Sequence, residues 1–145
     1  MNEPLVSLNF CQKSRVFTPG SVLAGEFQID DVKAEQLQAV ELSVLWYTEG
    51  KGDEDLDVHF FDRRERDDDP QPRLHLLRPF ETVLPNSPLS YSGAIVKIHW
   101  CVRVRMFLTG DRQHVEDFSF HLGETSDPPP AAETASRKTD SRNID

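Results

Sequence analysis

From Val96 to Phe107 the chain reads VKIHWCVRVRMF, and its large apolar residues return at every second position. Side chains alternate between the two faces of a strand, so a two-residue repeat is satisfied only by extended chain with one dry face and one wet face. Val96, Ile98, Trp100, Val102 and Val104 share one parity, which leaves Lys97, His99, Arg103 and Arg105 on the other. The repeat recurs along the chain. Val6, Leu8 and Phe10 align, as do Leu23, Gly25, Phe27 and Ile29, and then Val40, Leu42, Val44 and Trp46. Leu56, Val58 and Phe60 align against Asp57, His59 and Phe61, and Phe118, Phe120 and Leu122 align near the end. No segment sustains a helical period. The pattern predicts an all-β sandwich.

Turn chemistry separates these runs: TPG at Thr18–Gly20, EGKGDED at Glu49–Asp55, LPNSPLSYSG at Leu84–Gly93 and TGD at Thr109–Asp111. In the first, Pro19 presets φ and Gly20 supplies a positive φ. DVKAEQLQAV, Asp31–Val40, is the one stretch that invites a short helical turn, with Asp30 or Asp31 as its cap. DRRERDDDPQPR, Asp62–Arg73, carries mixed charge and two prolines, and is expected as a mobile loop between strands. At 145 residues the length suits one domain. The expected division is a sandwich over 1–123 and a disordered, Pro-rich polar tail over 124–145.

Composition removes several function classes. There are 25 acidic residues against 16 basic ones, for a net charge of -9. That balance argues against nucleic acid as a partner, because affinity for a polyanion grows with the phosphates neutralised. Cys11 and Cys101 are too few for a disulfide framework, and two reduced thiols are expected. The opening MNEPLVSLNF lacks the basic and apolar regions of an export signal, and no run reaches the length of a membrane helix. The expected location is the cytoplasm.

Three segments together carry a resemblance. FTPGSVLAGEFQI (Phe17–Ile29), VELSVLWYTEG (Val40–Gly50) and LPNSPLSYSGAIVKIHWCVRVRMFL (Leu84–Leu108) resemble, in order and spacing, the arrestin-like superfamily of arrestins, Vps26 and SpoOM proteins, and VEDFSFHLG fits its last strand. The resemblance spans about residues 5 to 123. It implies an immunoglobulin-like, arrestin-type β-sandwich of about seven antiparallel strands. It also implies action through protein contacts, as a non-enzymatic adaptor or scaffold. Arrestins pair two such sandwiches and this chain has room for one, so nothing of their inter-domain cleft carries over.

Among candidate sites, the basic stripe Lys97, His99, Arg103 and Arg105 is either a charge-laced solvent face or a docking face for an acidic or phosphorylated peptide. Glu26, Glu41, Asp57 and Asp117 fall on the outward parities of other strands, and Phe61 and Phe107 are candidate exposed aromatics beside the cations. Between Lys51 and Pro70 nine acidic residues face four basic ones, but the consecutive Asp67–Asp69 lacks the alternating ligands and central glycine of a calcium loop. His59, His99 and His121 share a parity, which makes a small metal- or ligand-binding sandwich the alternative reading; otherwise no metal and no cofactor is expected. No nucleophile elbow or phosphate loop is present, and no enzyme is expected. Strand edges are a further candidate. Val22 and Ala24 would make an edge adhesive to a peptide or a second copy, giving a homodimer by edge pairing.

Overall fold

The structure, a computed structural model, describes residues 3–66 and 74–123. The order is β1 (Leu5–Phe10), β2 (Val16–Phe17), β3 (Val22–Asp30), a 3-10 turn (Ala34–Gln36), β4 (Leu37–Gly50), β5 (Leu56–Glu65), β6 (Arg78–Val83), β7 (Tyr91–Ser92), β8 (Val96–Leu108) and β9 (Arg112–Leu122). Two of these strands are two residues long, and the remaining seven form the sandwich. One sheet has the order β1-β3-β6, and the other the order β2-β9-β8-β4-β5 with β7 added alongside β8. Every long pairing is antiparallel; only β2 meets β9 in parallel.

The core lies between the sheets and follows the alternation. Val6 and Leu8 from β1 and Leu23, Phe27 and Ile29 from β3 face Val40, Leu42 and Val44 from β4. Trp100, Val102, Val104 and Met106 from β8 and Phe120 and Leu122 from β9 complete it. Trp100 is 1% exposed and donates its indole N–H to the Pro88 carbonyl at 2.7 Å, which ties the 84–93 turn to the core. Gly25 sits where β3 passes between β1 and β6. A Cβ there would stand 2.5 Å from the Asn9 carbonyl oxygen and 2.8 Å from the Phe80 ring, so packing requires the glycine. Gly20 has φ +81, as the Pro-Gly turn demands.

Three expectations change, and one strand, β6, was not expected from the sequence. β6 carries a core residue, Phe80, in a segment whose alternation Pro79 and three polar residues conceal. Pro79 lacks an N–H and is tolerated because β6 is an edge. Asp62–Glu65 are not loop: they extend β5 and pair with Leu42, Glu41, Val40 and Ala39. β3 is the centre of its sheet, so Val22 and Ala24 do not lie on an edge. The 3-10 turn is capped by Lys33 without a side-chain bond, and Asp31 instead adopts φ +58. The rest of the charged loop, including Asp67–Asp69, and the tail over 124–145 lie outside the described residues.

Candidate functional site: the outer face of the large sheet

Residues directly opposite one another on paired strands share a face. The outer face of β5-β4-β8-β9 therefore follows from the register, row by row. Arg63, Glu41, Arg105 and Val115 make one row; Phe61, Ser43, Arg103 and Asp117 the next; then Val58, Leu45, Cys101 and Ser119. Leu56, Tyr47 and His99 follow, and Glu49, Lys97 and Ser92 close the series.

All four stripe residues lie on this face, but three have partners within the sheet. Arg103 Nε donates to Asp117 Oδ1 at 2.8 Å and its Nη2 to Oδ2 at 3.0 Å, a two-pronged pairing that holds the guanidinium pKa above its usual value. Arg105 donates to Gln113 Oε1 at 3.0 Å and lies 3.9 Å from Glu41. His99 Nε2 meets Glu49 Oε1 at 2.7 Å, and the ring lies 5.1 Å from that of Tyr47. Lys97 is exposed and, among the described residues, makes no ion pair.

The expected acids divide. Glu41 and Asp117 face the arginines, Glu26 belongs to the other sheet, and Asp57 lies opposite Trp46 on the inner side. Phe107 lies beneath the Arg63 guanidinium, 4.9 Å from centroid to carbon, while Phe61 stands open at 52% exposure.

The pairing of Arg103 with Asp117 had a signal in the sequence. β8 and β9 are joined by three residues, Thr109–Asp111, with Gly110 and Asp111 both at positive φ. Loop length fixes hairpin register. Leu108 opposite Arg112 carries through to Arg103 opposite Asp117. Glu41, Tyr47 and Leu45 had no such signal, since β4 reaches β8 only through a long connection.

Three residues on this face are buried although the face is open: Ala39, Leu45 and Cys101, each 2% exposed. Burial, with Asp117 adding to it and Arg103 opposing, pushes the Cys101 thiol up to about 12. Burial likewise raises the Tyr47 phenol. Cys11 is exposed on the loop after β1, and both thiols are free.

The three histidines are not brought together. An extra residue bulges β5 between its pairings with Val44 and Leu45. His59, at that bulge, turns inward to the Val83 carbonyl at 2.7 Å and lies edge-on to Trp100. The β8–β9 ladder ends at Trp100 opposite Phe120, and His121 is set opposite Val16 of β2 rather than His99. Among the described residues no group of three His, Cys, Asp or Glu could hold a metal ion. No described helix is long and apolar enough to cross a membrane.

Two sheets in this order, a Pro-Gly turn entering β3 and a long central β8 define an arrestin-like β-sandwich. Among solved structures the chain is similar to Spo0M, a sporulation control protein from Bacillus subtilis, with a TM-score of 0.58 and 12% sequence identity. The likeness covers 86% of this chain and 51% of that one, so the chain spans about half the length of Spo0M. No family model and no curated protein matches the sequence.

Proposed function

We propose that this chain is a non-enzymatic protein-interaction module, an adaptor or scaffold of the cytoplasm, that docks a protein partner on the outer face of the large sheet. The observation that carries this reading is the composition of that face. Side chains locked to one another by Arg103–Asp117 and Glu41–Arg63 border an open apolar row of Leu56, Val58, Phe61 and the partly buried Tyr47. A preordered polar rim beside exposed apolar and aromatic groups suits protein contact, because little side-chain entropy remains to be lost there. Lys97 supplies the one stripe cation without an ion pair on the described face, and Arg103, Arg105 and His99 supply the ordered frame.

The test is capture from native lysate by the wild type, by Lys97→Glu and by Glu26→Lys, with the captured proteins identified by mass spectrometry. Lys97 is the residue to reverse, because reversing Arg103 would set two carboxylates together and disturb the sheet. A partner lost by Lys97→Glu and kept by Glu26→Lys, on the opposite sheet, supports the reading. Identical sets of proteins across all three overturn it.

A further inference from the structure

β5 is the outermost strand of the large sheet, and among the described residues it pairs only with β4. Ten residues long, it is exposed or half-exposed at every position. An edge of this length presents a row of unpaired backbone N–H and C=O groups. It also holds three open apolar side chains, Leu56 (52%), Val58 (43%) and Phe61 (52%). Two of its charges are underused. Asp57 makes no hydrogen bond or ion pair among the described residues, and the nearest partner of Arg64 is Asp62 at 3.8 Å, beyond hydrogen-bond length.

We propose that β5 pairs antiparallel with β5 of a second copy of this chain, on a two-fold axis passing through Phe61. The register is selected by face and charge. The bulge at His59 places Leu56, Val58, Phe61, Arg63 and Glu65 on the outer face, and Asp57, Phe60, Asp62 and Arg64 on the inner side. A residue pairs only with another on its own face. Centred on Phe61, and with His59 absorbed as the bulge, the pairing sets Phe61 against its own copy, Phe60 against Asp62 and Val58 against Arg63. Asp57 then meets Arg64 twice, once on each side of the axis. Moving the axis to Phe60 sets Asp57 against Asp62. Moving it to Asp62 or Arg63 sets a residue against its own like charge. Only the Phe61 centre brings the two underused charges together without a like-charge pair.

An axis perpendicular to the sheet keeps faces on their own side. Both copies therefore present Lys97, His99, Arg103 and Arg105 in the same direction, as a doubled surface on one continuous sheet. The pairing uses none of these four residues; it shares Leu56, Val58 and Phe61 with the docking face, and Lys97 belongs to the docking role alone.

Light scattering on size-exclusion fractions tests it, with the full chain loaded from low micromolar to about 100 µM, a range in which standard-size interfaces assemble. The wild type should approach twice the 16.6 kDa monomer mass. Asp57→Arg should weaken association at least about tenfold, since two attractions become two repulsions. Asp57→Arg combined with Arg64→Asp should restore it. Circular dichroism and thermal melts establish that each variant is folded. In a Cys11→Ser background, Phe61→Cys should cross-link copies under mild oxidation while Glu81→Cys, on β6, should not. A wild type at monomer mass throughout overturns the proposal. So does a folded double variant that stays monomeric, or an Asp57→Arg dimer as tight as the wild type. Lys97→Glu should leave the mass unchanged, which separates the failure of this pairing from failure of the docking face.

Discussion

β8 and β5 flank the same strand, β4, and both read as alternating apolar and polar residues. In β8 the alternation becomes burial: Trp100, Val102, Val104 and Met106 are at most 1% exposed. In β5 it does not, since Leu56 and Val58 are open to solvent and only Phe60 approaches the core. The difference is one of face. The bulge at His59 breaks the parity of β5, so Leu56 and Val58 lie on the outer side of the sheet and Phe60 on the inner. An apolar parity thus states what a strand can bury, and the pairing register decides which of its residues face the core.

Matched substitutions on the two strands measure that difference. Trp100→Ala removes the largest fully buried side chain and its bond to Pro88, and should lower unfolding free energy by about 3–5 kcal/mol. Leu56→Ala, on a residue 52% exposed, should cost less than about 1 kcal/mol. Urea titrations with a shared m-value measure both. Equal losses would mean that the outer face of β5 is covered after all. Val to Thr is a finer probe, because it changes one methyl to a hydroxyl at nearly constant volume. Val102→Thr should cost about 1–3 kcal/mol, since the hydroxyl is placed in an apolar core. Val58→Thr should stay within about 0.5 kcal/mol.

How far the sequence reveals this molecule depends on the range of the interaction involved. The dry faces of β1, β3, β4, β8 and β9 were legible because alternation is local, and Gly20 was legible because its turn is. β6 was hidden because an edge strand tolerates Pro79 and three polar residues. The inward turn of His59 was hidden because a bulge shifts parity without a marker in composition. The cations of the candidate face were legible as a stripe, yet their partners were not equally so. Asp117 follows from a three-residue loop, whereas Glu41 reaches Arg105 and Arg63 through pairings that no short loop dictates.

Cys101 sharpens the comparison on the wet side of β8. Its folded pKa, about 12, lies above the ordinary thiol value, so the folded state retains a proton that the unfolded chain releases. The resulting stability is complete below the unfolded pKa and is lost as pH rises towards the folded one. Urea midpoints should therefore fall between about pH 9 and 12, the window between the ordinary and folded thiol values. Cys101→Ala should flatten part of that slope. At pH 8 a thiol reagent should modify exposed Cys11 at once and Cys101 only on unfolding. Prompt modification of both would show that the outer face of β8 opens as readily as β5.

The smallest effects belong to the ion pairs, and there the two strands should differ in kind. Arg103 and Asp117 join through two bonds, with side chains 23% and 39% exposed. Arg63 on β5 divides itself between Glu41 and Glu65. A double-mutant cycle with alanine at Arg103 and Asp117 should give a coupling near the upper end of the 0.2–1 kcal/mol range of about what exposed pairs yield. The cycle at Arg63 and Glu41 should give less, because Glu65 remains to engage Arg63 once Glu41 is gone. In 1 M salt, where screening acts over about 3 Å, both couplings should shrink, and the pair at Arg103 should retain more through its directed bonds. Equal coupling in the two cycles would remove the distinction between a central strand whose partner is fixed by its hairpin and an edge strand whose arginine is shared between two carboxylates.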